Sequence, residues 1–126
     1  MHRSGLQAIV VDCDDIEAGE RFWTGALGIG VTGRKEPYVE LEPISGTVRF
    51  LLQHVSEAKG AKSRVHLDIE TDDVDAEVRR LERLGARRSE QVEGWWIMRD
   101  PCGNEFCVVP AKPEWFDSSA NIWDEE

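Results

Sequence analysis

A β-rich run, an acidic pair, an amphipathic run and a glycine occur in that order twice in this chain. That repeat restricts the fold more than any other feature, because two copies of one supersecondary unit must share a core. In the first copy the β-rich run is Leu6–Cys13, and Asp14-Asp15 offers a helix N-cap. Ile16, Phe22, Trp23, Ala26 and Leu27 then recur at helical spacing, with Glu17, Glu20 and Arg21 between them, until Gly28 stops the run. In the second copy the run is Arg64–Thr71, the caps are Asp72-Asp73, and the stripe is Val74, Ala76, Val78, Leu81 and Leu84, closed by Gly85. Three strand candidates follow each helix: Gly30–Lys35, Tyr38–Glu42 and Thr47–Val55, then Arg87–Glu93, Trp95–Arg99 and Glu105–Pro110. The breaks between them carry turn chemistry, from Glu36-Pro37 to Asp100-Pro101-Cys102-Gly103-Asn104.

The expected organisation is a single domain over 1–126, with module one at 5–55, a linker at 56–63, module two at 64–110 and an acidic, aromatic tail at 111–126. The expected fold class is α+β: two βαβββ modules forming a curved, cup-like mixed sheet with the helices outside. One half alone could not bury its sheet face, but two side by side could.

Composition narrows the function classes. Apolar residues make up 40% of the chain, enough for a core. The net charge of −10 repels phosphate backbones, so nucleic acid is not an expected partner, whereas cationic ligands are compatible. The run from Leu6 to Val11 is too short, and too soon followed by acids, for a signal peptide or membrane span. Three cysteines, Cys13, Cys102 and Cys107, without CxxC spacing argue against a disulfide framework or a structural zinc site. A reducing cytoplasm is the expected compartment.

Four local pieces, in order, carry a resemblance. The segment from Asp15 to Trp23 opens with an acid and closes on the aromatic pair Phe22-Trp23, and Leu27-Gly28 ends the helix. Arg64–Asp68 opens the second module, and Asp100–Cys107 forms an Asp-Pro-x-Gly-Asn hairpin and last strand. Together these resemble the vicinal oxygen chelate superfamily of glyoxalases, bleomycin resistance proteins and dioxygenases, and within it the glyoxalase-like domain proteins.

The resemblance implies a divalent metal held by inward His and Glu residues on the first and last strands of each module. Carried onto this chain, those positions fall at Ala8, Leu51, His66 and Cys107. Ala8 and Leu51 cannot bind metal, and Gln53, two residues on and facing the same way, is a weak neutral donor. His66 matches, and Cys107 stands where Glu is expected. Two protein ligands make a poor site. No cofactor is therefore expected, with a divalent metal held as the minor alternative.

Strand alternation places Asp68 and Glu70 inward with His66, and Glu105 and Val109 inward with Cys107, while Val65, Leu67 and Ile69 face a helix. The ligand-binding candidates are His66, Asp68, Glu70, Gln53, Trp96 and Cys107. His66 is the best candidate acid/base, since an imidazole suits proton transfer near neutral pH. Its bland alternative is an inherited histidine without function; for Cys107 it is a small buried apolar residue, and for Asp68 and Glu70 a solvated rim. Cys102, in a turn, is expected at least half-exposed. Of Trp95 and Trp96, neighbours on one strand, one must face the cup and could floor a pocket. Trp115, Phe116 and Trp123 are too apolar for a purely solvated tail and are expected to fold back on the domain or on a partner.

The leading expectation is a metal-independent binder of a cationic or aromatic small molecule, a homodimer, as the resemblance to drug-sequestering members implies. The alternatives are a lyase, isomerase or dioxygenase using metal, or a metal-free enzyme using His66. Fold alone does not choose among them.

Overall fold

The computed structural model describes residues 1, 3, 6, 8–46, 48–111, 116 and 120–123. Each module starts with a strand that runs straight into a capped helix. In the first, β1 (Ala8–Cys13) leads to α1 (Ile16–Leu27). Asp15, in extended backbone, accepts the Ala18 N–H at 3.1 Å, and Gly28 closes the helix at φ 68°, a conformation that favours glycine. In the second, β5 (Leu67–Thr71) leads to α2 (Val74–Arg83), where Asp73 accepts the Ala76 N–H at 3.0 Å. Both N-caps expected from sequence are present; α1 ends at Gly28 as expected, and α2 ends one residue early, with Leu84 as its C-cap ahead of Gly85.

The remaining strands are β2 (Val31–Lys35), β3 (Tyr38–Ser45) and β4 (Val48–His54), then β6 (Arg87–Val92), β7 (Trp95–Arg99) and β8 (Glu105–Pro110). They form two four-stranded mixed sheets of identical topology, β1-β4-β3-β2 and β5-β8-β7-β6. In each, the strand before the helix pairs in parallel with the last strand of its own module. The fold is α+β with two like modules, as the repeat predicts.

One core joins them. The face of β4 carrying Phe50 and Leu52 and the face of β8 carrying Phe106 and Val108 have no exposure. Helix α1 lies against both: Trp23 sits 5.5 Å from Phe50 and 5.6 Å from Phe106, ring centre to ring centre, and Phe22 sits 5.5 Å from Phe106. Helix α2 adds Val78 and Leu81 to the same cluster. Arg80 ties the helices together, since its guanidinium donates to the Gly25 and Ala26 carbonyl oxygens at the unsatisfied end of α1. Glu77, also buried, neutralises it through two 2.8 Å hydrogen bonds.

Part of the tail folds back on its own chain. Trp123 stacks 3.8 Å from the Arg80 guanidinium, and Asn121 donates to the Leu27 carbonyl. Trp115, expected to act with it, lies outside the described residues.

One strand starts late. Arg64, Val65 and His66 precede β5 rather than opening it, and Val65 is 81% exposed instead of facing a helix. The reason is the neighbouring linker: the Ser63 N–H donates to Glu105 at 2.8 Å, and pairing with β8 begins only at Leu67–Phe106.

Candidate functional site

The core side of each sheet is fixed by its buried residues, so the other side is the concave face. On β8 that face carries Glu105, Cys107 and Val109, because Phe106 and Val108 point into the core. Asp68 stands beside Cys107 in the parallel register of β5 and β8. His66 closes the group: its Nε2 lies 3.3 Å from Asp68 Oδ1. One donor atom from each of His66, Asp68 and Cys107 lies within 4.8 Å of the others. His66 and Asp68 are exposed, and Cys107 is buried.

Burial pushes the Cys107 thiol pKa up, and the Asp68 carboxylate, which it hydrogen-bonds, pushes it further; Lys62 opposes this weakly. Cys107 is therefore held as a thiol, not poised as a nucleophile.

A cleft of about 260 Å³ opens at the seam between the modules, lined by Val10, Asp12, Val65, His66, Leu67 and Glu105 among others. Asn104 spans this seam, donating to the Asp12 carbonyl at 3.0 Å. Glu105 was not among the ligand-binding candidates, yet it anchors the wall. Lys59 and Arg99 approach it to 3.2 and 3.1 Å, and Ser63 donates to it. Burial alone would raise the Glu105 pKa, but the Ser63 and Lys59 hydrogen bonds outweigh it and bring it to about 2. Alternation placed Glu105 inward, but no sequence signal pointed to its partners Lys59 and Ser63, which lie in the linker.

Other expected residues lie elsewhere. Gln53 sits on β4 between Asp12 and Tyr38, in the other sheet, and is not one of the three clustered donors. Glu70 follows Asp68 on the same face, beside Val109, and is half-buried. Ala8 pairs with Arg49 and Leu51 with Val10 where β1 meets β4, in the other module from His66 and Cys107.

Trp96 is a correction. It pairs with Val108 and packs against the core, with Arg88 at 5.0 Å from its ring. The register of β7 on β8 puts Trp96 on the side of Met98 and Phe106, so the concave-face indole is Trp95. Cys102 is a second correction: it is 8% exposed rather than turn-exposed, because the Asp100 carboxylate folds the turn inward.

The expected absence of a cofactor rested on counting two donors. Asp68 supplies a third, and imidazole, carboxylate and thiolate together match the number and type of ligands in a divalent site that keeps positions open. The donor set fits such an ion on one wall only.

Solved structures share the fold. A glyoxalase-related enzyme from Fulvimarina pelagi superposes with a TM-score of 0.67 at 13% identity, over 86% of this chain and 89% of that one. The fosfomycin resistance protein FosX from Mesorhizobium loti gives 0.66 at 16% identity, over 89% and 95%. The trypanothione-dependent glyoxalase I of Leishmania major gives 0.61 at 17% identity, over 86% and 87%. At such identities the likeness establishes the fold alone. No curated protein matches the sequence. A family profile described as a glyoxalase-like domain matches residues 8–109, spanning both modules, and the chain belongs to that family.

Proposed function

We propose that this protein binds a small organic molecule on the concave face, in the cleft between its modules, with His66, Asp68 and Cys107 as the polar centre. The observation that carries this reading is the convergence of those three side chains, one of which, His66, also lines a cleft bordered by Ile9, Val10, Val11, Trp23, Val65 and Leu67. Apolar walls provide affinity and a few convergent polar groups fix orientation. Asp12, Asp68 and Glu70, in a chain of net charge −10, favour a cationic or hydrogen-bond-donating ligand. His66 beside Asp68 is arranged to accept a proton from such a ligand. A homodimer is part of this proposal, tested by light scattering on the purified chain.

The third donor favours a second reading, a metal-assisted lyase, isomerase or dioxygenase. His66, Asp68 and Cys107 would hold the ion, and bound metal would supply Lewis acidity toward substrate oxygens. Cys107 must lose its proton to ligate, so loading would release protons and strengthen as pH rises.

Metal analysis of the purified protein, with thermal shifts in Zn, Ni, Fe and Mn, separates the two. Stoichiometric metal that disappears in His66→Ala establishes the second reading against the first. Metal-free protein whose tryptophan fluorescence is quenched saturably by planar cations supports the first. Absence of both defeats the proposal.

A further inference from the structure

Two thiols outside the concave face meet across the module boundary. Cys13 is the last residue of β1 and has no exposure; Cys102 belongs to the turn that leads into β8. The Cys13 thiol donates to the Val11 carbonyl oxygen at 3.9 Å, and the Cys102 thiol donates to the Asp15 carbonyl oxygen at 3.3 Å. Gly19 in α1 leaves the space they occupy: a Cβ there would lie 2.6 Å from Cys13 Sγ and 3.9 Å from Cys102 Sγ. Neither thiol has a role at the His66 cluster.

Access to the pair is one-sided. Cys102 lines a cavity of about 220 Å³ together with Asp12, Asp14, Glu57 and Lys59. Three carboxylates against one ammonium make that mouth acidic, which repels anionic oxidants such as glutathione disulfide and admits a small neutral one. We propose that Cys13 and Cys102 form an oxidisable dithiol that hydrogen peroxide converts into a disulfide, tying the end of β1 in module one to the turn before β8 in module two.

The chemistry balances within the pair. Cys102, as its thiolate, attacks one peroxide oxygen; the O–O bond breaks, hydroxide leaves and is protonated to water, and Cys102 becomes a sulfenic acid. Cys13 then attacks the Cys102 sulfur, the S–O bond breaks, and the departing hydroxide takes the Cys13 proton as a second water. Two thiols lose two electrons, and one peroxide gains them. Burial holds both thiols protonated, with Asp100 adding to it, so the first step is slow. The bond changes the protein by linking its modules, since it closes a long loop in the unfolded chain.

The test treats the full chain with hydrogen peroxide and measures intact mass without reductant. The expected result is a loss of about 2 Da, a Cys13–Cys102 cross-linked peptide after digestion, and a Tm rise on the order of 5–10 °C that dithiothreitol reverses. Cys107→Ser should retain all three, while Cys102→Ser should lose them. A cross-link through Cys107, mass gain at Cys102 without a cross-link, or unchanged mass after prolonged exposure would overturn the proposal. These readouts involve the wild-type protein, so a poorly folding variant does not decide the outcome. They are also independent of what the concave face binds.

Discussion

The Trp23 indole N–H donates to the Asp100 carboxylate at 2.9 Å, in full burial, across 77 residues of sequence. Trp23 closes the aromatic pair of α1, and Asp100 opens the turn before β8. The two most distinctive motifs of the chain are therefore halves of one structural element. Asp100 also accepts the Cys102 and Asn104 N–H groups at 2.9 and 2.8 Å and the Asn104 amide at 3.0 Å. Asn104 in turn reaches β1, so this carboxylate sets the seam on which the cleft depends.

Trp23→Phe keeps the packing on Phe50 and Phe106 but removes one donor from a buried carboxylate. The expected loss of stability is about 1–3 kcal/mol, read from the urea midpoint at unchanged m-value. A loss below about 0.5 kcal/mol would mean that the remaining donors satisfy Asp100 alone.

Arg80→Met should be more damaging than any surface charge change. It strands Glu77 in the core and frees the Gly25 and Ala26 carbonyl oxygens. The expected cost is about 3–5 kcal/mol. The double change Glu77→Leu with Arg80→Met should recover part of it in chemical denaturation.

Glu105 makes stability pH-dependent. Its folded pKa, about 2, lies below the ordinary 4.5, so the folded state holds fewer protons in that interval. Its contribution is full above pH 4.5 and is lost as pH falls from 4.5 toward 2. Glu105→Gln should therefore lower the urea midpoint at neutral pH, and the gap from wild type should shrink across that interval. A constant gap would assign the effect to packing.

Trp95 and Trp96 should separate binding from stability. Trp96→Leu, on the core side, is expected to cost about 1–3 kcal/mol. Trp95→Leu should leave stability nearly unchanged while weakening any concave-face ligand several-fold in fluorescence or calorimetric titration. The reverse pattern would place the ligand elsewhere.

Much of the fold was legible because its signals are local. Asp15 and Asp73 cap helices through N–H groups three residues on, and Gly28 supplies a left-handed φ at the end of α1. These preferences operate within one or two turns of chain, and their repetition predicts two like modules. Alternation within β5 likewise put Glu70 on the side of Asp68.

What alternation could not supply was the partner of each face. Period two says that Trp95 and Trp96 point oppositely, but only the β7–β8 register decides that Trp96 meets Val108. The same kind of register, between β5 and β8, sets Asp68 against Cys107 and turns two candidate donors into three. Cys102 looked like a turn residue near solvent; burial against α1 brings it to Cys13. The sequence by itself determined the helices, their N-caps and the duplicated order of elements. The tertiary structure decided which β7 indole packs on the core, which thiols meet and which charges are buried. Those outcomes depend on strand pairing and side-chain contact between distant segments, which no local preference encodes.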